Sequence, residues 1–198
     1  KLLTGRQIKS TKGHGMFVDI YCDDHTCITV GEGTNMRYYP PFEQPPKKHQ
    51  LSIGFDDGSF AACTVAMYGG IWVYKGIFDN PYYQKSLNSI SPLDDNFNEE
   101  YFDDIFKKTV KDISLKALLA TELRIPGLGN GVLQDILFNA GLHNKRKKSS
   151  VTDFHKDELF HSSKVTLNEM TDMGGRDTEK DLFGQPGGYK TILSKNTS

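Results

Sequence analysis

The chain has 198 residues, of which 37% are hydrophobic and 25% are charged, a composition that excludes a chain disordered as a whole. The formal net charge is −1, so bulk attraction to a polyanion is excluded, and any nucleic-acid binding depends on local patches. No apolar run has the length that a membrane-spanning helix needs. A chain of this length can bury a substantial core, and we expect two small domains.

The three cysteines indicate a reducing environment. Cys22, Cys27 and Cys63 are odd in number, lie in the first third of the chain and include no C-x-x-C pair. This pattern is typical of reduced core residues and disfavours both a disulfide framework and a metal site. We therefore expect a protein of the cytoplasm whose cysteines hold no metal.

Residues 1–90 carry the signals of short antiparallel strands. Alternating or β-branched runs between turn residues predict six or seven strands, and the clearest lie at residues 15–21, 27–30, 35–39, 51–55, 59–65 and 71–74. Asp56-Asp57-Gly58 is a strong hairpin signal between two of them. This number of short strands with tight turns indicates an antiparallel sandwich or barrel.

Helical periodicity begins after a polar segment. Residues 80–96 contain Pro81 and Pro92 and lack periodicity, which favours a linker between two domains. Apolar residues then recur at helical spacing and predict helices at residues 99–108, 115–123, 131–140 and about 152–173. Thr152 or Asp153 is expected to cap the last helix.

A glycine-rich turn joins the second and third of these helices. Pro126-Gly127-Leu128-Gly129-Asn130 contains too much glycine to continue a helix, and apolar residues recur at helical spacing on both sides. The first amides of the following helix have no partner within the helix, and together with Asn130 they predict an anion site. A phosphate is the obvious ligand. Asn130 is also a common type of helix N-cap, a second role that is compatible with the first.

Three stretches of the sequence resemble one protein family. SPLDDNFNEEYF lies at the predicted linker, IPGLGNGVLQDILFNAGLH contains the glycine-rich turn, and GGRDTEKDLFGQPGGYKTIL lies near the end. In this order they resemble the formamidopyrimidine-DNA glycosylase and endonuclease VIII family of base-excision enzymes. The resemblance implies an α+β fold, in which an antiparallel β-sandwich, incomplete in this chain, precedes a helical domain with a helix–two-turn–helix element.

The resemblance also implies a division of the chain into four parts. Residues 1–90 would be the remainder of the β-sandwich domain, and residues 91–97 the linker. Residues 98–175 would form the helical DNA-binding domain. Residues 176–198 would form a tail that resembles the family's lesion loop and leads toward a zinc finger outside the chain.

The chemistry that the resemblance implies depends on residues outside the chain. The family's nucleophile is the secondary amine of an N-terminal proline, which attacks the sugar C1′, and the resulting Schiff base permits strand cleavage by elimination. A glutamate beside that proline transfers protons. Neither residue is present in the chain, which begins at Lys1, and the four zinc cysteines are absent as well. We therefore expect this chain to be inactive and without a cofactor, whereas the full-length family member would hold zinc.

Candidate DNA-binding residues follow from the same resemblance. Phosphate binding is implied for Asn130 together with Gly127 and Gly129. His14 stands where the family has a phosphate-contacting lysine, so that Lys12 or His14 is a further candidate, although an exposed turn explains both equally. The remaining candidates are basic residues after the third helix and in the tail, namely Lys145, Arg146, Arg176, Lys180 and Lys190. A solvated surface explains the basic run equally well.

Two loops and the tail correspond to the parts that surround an everted base in the family. The family fills the gap in the duplex with a methionine from one loop and an Arg–aromatic pair from another. Glu32 stands at the methionine position and Ala66 begins the second loop, so that Met67 and Tyr68 would have to fill the gap. The flexible loop over the damaged base corresponds to Gly184, Gly187, Gly188 and Tyr189. A plain connector explains these four residues nearly as well.

Together these features predict a monomeric DNA-repair protein that binds duplex DNA with a damaged base, in the bacterial cytoplasm and nucleoid and away from membranes. The full-length product is predicted to be a DNA glycosylase with apurinic-site lyase activity on oxidised bases. The alternative is a non-catalytic DNA- or RNA-binding relative that uses the same helix–two-turn–helix element. Proline followed by glutamate at the start of the full-length protein would distinguish the enzyme from this binder. A coincidental hairpin in an unrelated α+β domain is the third interpretation.

Overall fold

The computed structural model of the chain describes residues 2–66, 68–121 and 124–193. Within these ranges, seven strands precede five α-helices. The strands are β1 (Ile8–His14), β2 (Phe17–Cys22), β3 (Thr26–Gly31), β4 (Thr34–Tyr39), β5 (Leu51–Gly54), β6 (Phe60–Val65) and β7 (Ile71–Lys75). The helices are α1 (Pro81–Leu87), α2 (Glu99–Lys108), α3 (Leu115–Ala120), α4 (Asn130–Asn139) and α5 (Asp153–Asp172).

The strands form the two antiparallel sheets of a sandwich. One sheet has the strand order β1-β2-β3-β7, and the other has the order β4-β6-β5. Cys22 and Ile28 of the first sheet line the same cavity as Leu51 and Ile53 of the second. Asp56-Asp57-Gly58 connects the paired strands β5 and β6, as the hairpin signal predicts. The predicted α+β fold, with an antiparallel sandwich followed by helices, is confirmed.

β1 lies in a segment for which the sequence predicts no strand. Its residues IKSTKGH show no apolar alternation, and all but the last are exposed. Backbone pairing with β2 holds β1 at the edge of its sheet, where His14 lies opposite Phe17. Because an edge strand of this kind buries no face of its own, hydrophobic periodicity gives no signal for it.

The structure corrects the expectation that residues 80–96 form an irregular linker, because α1 lies within them. The side chain of Asn80 accepts hydrogen bonds from two amides of the first turn, and Pro81 is the first helical residue. Asparagine followed by proline is the signal of an N-cap and a first helical position. With only seven residues the helix is too short to show a period. The domain boundary at residues 91–97 remains a prediction.

The helices α2 to α5 pack around one apolar cluster. α2 has the predicted bounds, and α4 and α5 differ from prediction by one residue at each end. The second predicted helix, residues 115–123, is α3, which ends at Ala120, and its residues 122–123 lie outside the described residues. The buried members of the cluster are Phe97, Phe102, Ile105, Phe106, Leu115, Leu118, Leu119, Ile125, Leu128, Leu133, Ile136, Leu137, Leu142 and Leu159. Each such side chain stabilises the fold by about 1.5–3 kcal/mol relative to exposure, so the cluster fixes the hairpin of α3 and α4. None of the described helices combines the length and the apolar character that crossing a membrane requires.

Two glycine turns bring the sandwich into contact with the helices. Gly127 has a left-handed φ of +88°, and a Cβ atom on it would lie 2.5 Å from the carbonyl oxygen of Gly15. Gly15 is also left-handed, with a φ of +54°, and a Cβ atom there would lie 2.8 Å from Cβ of Pro126. Neither position accepts a larger residue without displacement of its neighbour. The turn between β1 and β2 therefore lies directly against the turn that precedes α4.

The tail contacts both halves of the molecule. The Tyr38 amide of β4 donates a hydrogen bond to the Leu182 carbonyl at 2.9 Å. The buried carboxylate of Asp135 on α4 accepts hydrogen bonds from the amides of Ile192 and Leu193 at 3.1 and 3.0 Å. The described part of the tail, residues 176–193, is therefore held in place along its length.

Candidate nucleic-acid interface

The first turn of α4 is open to an incoming ligand. Its N-cap is Gly129, which has no side chain to cap the helix, and the exposed Asn130 is the first helical residue. The expectation that Asn130 is the N-cap is therefore wrong by one position. The first amides lack an intrahelical acceptor, and no acidic residue lies in the turn. The turn thus offers N–H donors and the positive end of the helix dipole to an anion.

The two glycines before α4 have different surroundings. Gly127 is required by its left-handed backbone and its contact with Gly15. Gly129 has an ordinary φ of −79°, and among the described residues the only atom within 4 Å of a Cβ placed on it is Oε1 of Glu32, at 3.9 Å. Gly127 therefore determines the shape of the turn, while Gly129 lies at the N-terminal end of α4. A phosphate contact by either glycine remains a prediction.

Arg176 lies on the first turn of α4. A Cβ atom on Gly131 would be 2.5 Å from Nη1 and 2.8 Å from Nη2 of Arg176, so the glycine leaves room for the guanidinium. Nη1 donates to Oε1 of Glu179 at 3.2 Å, and the arginine side chain is only 13% exposed. The sequence names Arg176 among several basic candidates, but only the fold brings it to the same helix end as Asn130.

His14 is largely buried. Its side chain is 9% exposed, and its Nε2 lies 2.9 Å from Oδ2 of Asp19. This burial contradicts the alternative of an exposed turn at His14, and a phosphate contact by this residue remains a prediction. Lys12 is exposed and lines, with Pro126 and Leu128, a cavity of about 530 Å³ between the sandwich and the helices. A DNA contact by Lys12 therefore remains a prediction.

Asp19 is the centre of a buried polar network that the sequence analysis missed. Besides His14, its Oδ2 accepts hydrogen bonds from the hydroxyls of Tyr21 and Tyr83 at 2.9 and 2.8 Å. Its Oδ1 accepts one from Thr29 at 2.5 Å. Burial raises the pKa of Asp19, but the hydrogen bonds outweigh burial and hold this pKa below its usual value. The sequence signal that could have predicted this network is the pair of polar residues Asp19 and Thr29, which lie opposite each other on β2 and β3.

The basic run after α4 is largely used inside the protein. The guanidinium of Arg146 donates to the carbonyl of Ser150 at 2.9 Å. The ammonium of Lys148 donates to the carbonyl of Phe106 at 3.2 Å and so holds the end of α2. The structure therefore disfavours Arg146 as a DNA contact. Lys145 is exposed, and a contact by this residue remains a prediction.

The two loops predicted to fill the gap in the duplex lie side by side. Glu32 and Tyr68 line one cavity of about 630 Å³, and the Ala66 amide donates to the Gly33 carbonyl at 2.8 Å. Tyr68 is 95% exposed and has a left-handed φ of +70°. Such a backbone is costly for an aromatic residue and is typical of functional positions. Met67 lies outside the described residues. Gap filling by Tyr68 remains a prediction.

Three of the four residues assigned to a lesion loop are packed against the chain. A Cβ atom on Gly187 would lie 2.1 Å from the carbonyl carbon of Gly175, and one on Gly188 would lie 3.0 Å from the carbonyl oxygen of Met173. Tyr189 is 3% exposed, which corrects the expectation that it belongs to an open loop. Burial raises the pKa of the Tyr189 hydroxyl, which therefore stays protonated.

The tip of the tail and its last lysine remain accessible. Gly184 has a left-handed φ of +83° and closes the turn at the tip. The exposed ammonium of Lys190 lies 3.8 Å from the carboxylate of Asp177. Hydrogen bonds from Thr191 and then the charge of Lys190 hold the pKa of Asp177 below its usual value. Contacts of Gly184 or Lys190 with DNA remain predictions.

The described residues do not fit a metal centre. They contain no group of three or more histidine, cysteine, aspartate or glutamate side chains that could hold an ion. Cys22, Cys27 and Cys63 are separate, buried thiols within the sandwich. The zinc that the resemblance implies therefore has no site in this part of the chain, and no step of the chemistry is assigned to it.

An antiparallel sandwich joined by close glycine contacts to a helical hairpin with an open N-terminal turn defines a helix–two-turn–helix protein. The chain matches no family model. It is 29% identical over 198 residues to formamidopyrimidine-DNA glycosylase of Proteus mirabilis, a match covering 98% of this chain and 70% of that protein. It is 25% identical over 190 residues to the enzyme of the same name from Shouchella clausii, covering 93% and 67%. It is 29% identical over 180 residues to formamidopyrimidine-DNA glycosylase of Oceanobacillus iheyensis, a match that covers 88% of this chain but only 62% of that protein.

Solved structures share the fold. The MutM (Fpg) protein of Thermus thermophilus superposes with a TM-score of 0.77 at 20% identity, covering 94% of this chain and 70% of that one. The Lactococcus lactis Fpg in complex with abasic-site DNA superposes with a TM-score of 0.78 at 22% identity, covering 93% and 69%. The predicted resemblance to formamidopyrimidine-DNA glycosylases is confirmed over most of the chain.

Proposed function

We propose that this chain is the DNA-binding body of a base-excision DNA glycosylase and that it binds duplex DNA at a damaged site. The open first turn of α4 is the observation that carries the proposal, because exposed Asn130 and unpaired amides lie there without an acidic residue in the turn. The names of the relatives support a glycosylase over a non-catalytic binder. The Lactococcus lactis protein with the same fold was solved with abasic-site DNA.

In this proposal the first turn of α4 binds one phosphate of the DNA backbone. The amides donate to its oxygens, and the side chain of Asn130 adds a further donor. Lys12, which lines the same cavity as Gly15 and Gly127, would contact a neighbouring phosphate. Such contacts fix the position of the duplex and do not read its sequence. Damage is then sensed by the loops beside the helix, where the exposed ring of Tyr68 stacks in the gap.

The full-length protein is proposed to be a DNA glycosylase with apurinic-site lyase activity. Its nucleophile would be the N-terminal proline that the family resemblance implies, and zinc would be held beyond the residues described here. The residues of this chain would position the strand so that the sugar C1′ faces that amine. The 198 residues alone are proposed to bind DNA without excising a base.

The binding part of the proposal is tested with a labelled duplex that carries one tetrahydrofuran abasic analogue. Fluorescence anisotropy is expected to show tighter binding of this duplex than of an undamaged duplex of the same sequence. Raising the salt concentration is expected to weaken both complexes, because counterions are released from the contacted phosphates. Failure to bind either duplex at low salt would contradict the proposal.

The catalytic part is tested by borohydride trapping on abasic DNA. The full-length protein is expected to form a covalent adduct through its Schiff base, and the 198-residue chain is expected to form none. A full-length protein that binds abasic DNA but never cross-links would be the non-catalytic relative. Cross-linking by the 198-residue chain would mean that one of its own amines is the nucleophile, in conflict with this proposal.

A further inference from the structure

Arg176 lies beside a helix end whose partial positive charge repels it, and the carboxylates that attract it, Glu179 and Asp177, lie outside the first turn of that helix. Its guanidinium covers Gly131 in the first turn of α4, and the distances from a Cβ on Gly131 to Nη1 and Nη2 would be 2.5 and 2.8 Å. The N-terminal end of a helix carries partial positive charge, so a cation beside it is repelled. No acidic residue of the first turn compensates for this repulsion. An anion that binds between the two positive groups would offset this repulsion.

The guanidinium is only partly paired. Nη1 of Arg176 lies 3.2 Å from Oε1 of Glu179, whose side chain is 64% exposed. Nε of Arg176 is fully buried and has no hydrogen-bond partner. A buried donor without an acceptor is rare in folded proteins and calls for an explanation. An oxyanion that accepts from Nε after a small movement of the side chain supplies one.

The backbone around Arg176 is fixed, so that only the side chain can respond. The Asp177 amide donates to the Tyr189 carbonyl at 2.9 Å, and the Tyr189 amide donates to the Gly175 carbonyl at 3.0 Å. The side chain can therefore pivot over α4 without movement of the chain that carries it. Gly131 leaves the space in which this pivot occurs.

We infer that Arg176 is a phosphate-binding residue gated by an ion pair. Glu179 holds the guanidinium in the free protein, and a phosphate of the DNA backbone replaces the Glu179 carboxylate in the complex. The guanidinium then binds the phosphate with two parallel N–H donors while the amides of α4 bind the same group. The inference rests on the proposed function. It adds Arg176 as a phosphate-binding residue and Glu179 as the carboxylate that the phosphate displaces.

Glu32 is the second carboxylate near this helix end, with Oε1 3.9 Å from the place of a Cβ on Gly129. It differs from Glu179, because Glu179 pairs with Arg176 whereas Glu32 lies beside Gly129. Neutralising either carboxylate is expected to strengthen DNA binding. The gain in DNA affinity on neutralising Glu179 should depend on the presence of Arg176, whereas the gain on neutralising Glu32 should not. Comparing the two gains therefore tests whether the Arg176–Glu179 ion pair controls binding.

A double-mutant cycle on the 198-residue chain tests the gate with the tetrahydrofuran duplex. Arg176→Gln is expected to weaken binding roughly tenfold and to lower the salt slope by about one. Glu179→Gln is expected to strengthen binding roughly threefold in the parent chain and to have no effect in the Arg176→Gln background. Glu32→Gln is expected to strengthen binding equally in both backgrounds. Lys108→Gln, on the exposed face of α2, is the control for loss of one positive charge.

A second variant tests the geometry without changing any charge. In Gly131→Ala the new methyl group displaces the flexible end of Arg176, while alanine is the better helix former. Binding is expected to weaken several-fold, with no fall in melting temperature. Arg176→Lys is expected to restore the salt slope but only part of the affinity, since lysine lacks the planar fork.

The outcomes separate this inference from the proposed function. If Asn130→Ala weakens binding while Arg176→Gln does not, the gate is wrong and the proposed function stands. If Glu179→Gln strengthens binding equally with and without Arg176, the carboxylate acts only as a general charge, and the gate is again wrong. If neither Asn130→Ala nor Arg176→Gln changes binding, the proposed function fails as well. Melting temperatures of all variants establish that each one is folded.

Discussion

The Asp19 network and the first turn of α4 are two polar sites among the described residues, and they differ in whether their central groups already have hydrogen-bond partners. In the Asp19 network the carboxylate is fully paired, and Nδ1 of His14 is a buried atom without a partner in the described part of the chain. Both oxygens of the Asp19 carboxylate accept hydrogen bonds from side chains, and the group is fully buried. At α4 the amides and the exposed Asn130 have no side-chain cap. A buried network with its acceptors occupied contributes to stability, whereas open donors in water are available to a ligand.

The difference follows from what each constellation lies against. Tyr83 of α1 covers the Asp19 face of the first sheet, so water is excluded and every hydrogen bond must be internal. At α4 the side chain of Asn130 is exposed, so the first turn can exchange hydrogen bonds with water or a ligand. Stability and DNA binding should therefore respond to different substitutions, and four predictions test that separation.

The largest effect on stability is expected from Asp19→Asn. The amide nitrogen cannot accept the hydrogen bonds that the carboxylate accepts, so the free energy of unfolding should fall by about 3 kcal/mol. Urea denaturation measures the loss, and the exposed Asp95→Asn is the matched control. DNA affinity of the folded variant should stay within about twofold of the parent, since a phosphate does not contact this network. A loss below about 1 kcal/mol would show that the network is not a source of stability.

Gly127→Ala should affect both properties. The left-handed φ of +88° and the clash at 2.5 Å with the Gly15 carbonyl are expected to cost about 2 kcal/mol and to displace the turn before α4. Gly129→Ala is the matched control, because φ there is −79° and its Cβ would meet nothing closer than 3.9 Å. Thermal unfolding and anisotropy on the abasic duplex measure the two effects. Equal losses in both variants would mean that the contact with Gly15 is unimportant.

Tyr68→Asn should separate the two properties in the opposite direction. Asparagine tolerates a φ of +70° better than tyrosine does, so stability should rise by about 0.5 kcal/mol. Loss of a stacking ring should weaken binding to the tetrahydrofuran duplex roughly fivefold and leave binding to undamaged duplex nearly unchanged. An equal loss on both duplexes would mean that Tyr68 contacts the backbone and does not fill the gap.

The smallest effect near neutral pH is expected from the tyrosines around Asp19. Burial and then the hydrogen bond to Asp19 raise the pKa of Tyr21 to about 12, above its ordinary value near 10. A raised pKa means that the folded state holds the proton more tightly. The contribution of the protonated Tyr21 hydroxyl to the free energy of unfolding is therefore complete below about pH 10 and is lost as the pH rises toward about 12. Tyr21→Phe should flatten the fall in stability between these values, and an unchanged slope would contradict the assignment.

The sequence predicts those parts of the molecule in which the local pattern and the packing agree. The spacing of Leu133 and Ile136 predicts α4, and the glycines around Leu128 predict the turn before it. β1 and α1 escape prediction because one is an exposed edge and the other is too short to show a period. The site is predicted only in part for a related reason. Burial of His14 and the position of Arg176 depend on contacts with Asp19 and Gly131, which only the folded chain brings together.

Binding of the tetrahydrofuran duplex by Asn130→Ala, measured across a series of salt concentrations, tests most directly whether the mouth of α4 binds phosphate. Asn168→Ala removes another exposed asparagine, on α5, and serves as the control. We expect Asn130→Ala to weaken binding roughly tenfold on every DNA sequence at unchanged melting temperature, through loss of a hydrogen bond to a charged group. Equal affinities of the Asn130→Ala and Asn168→Ala variants at low salt would contradict the account.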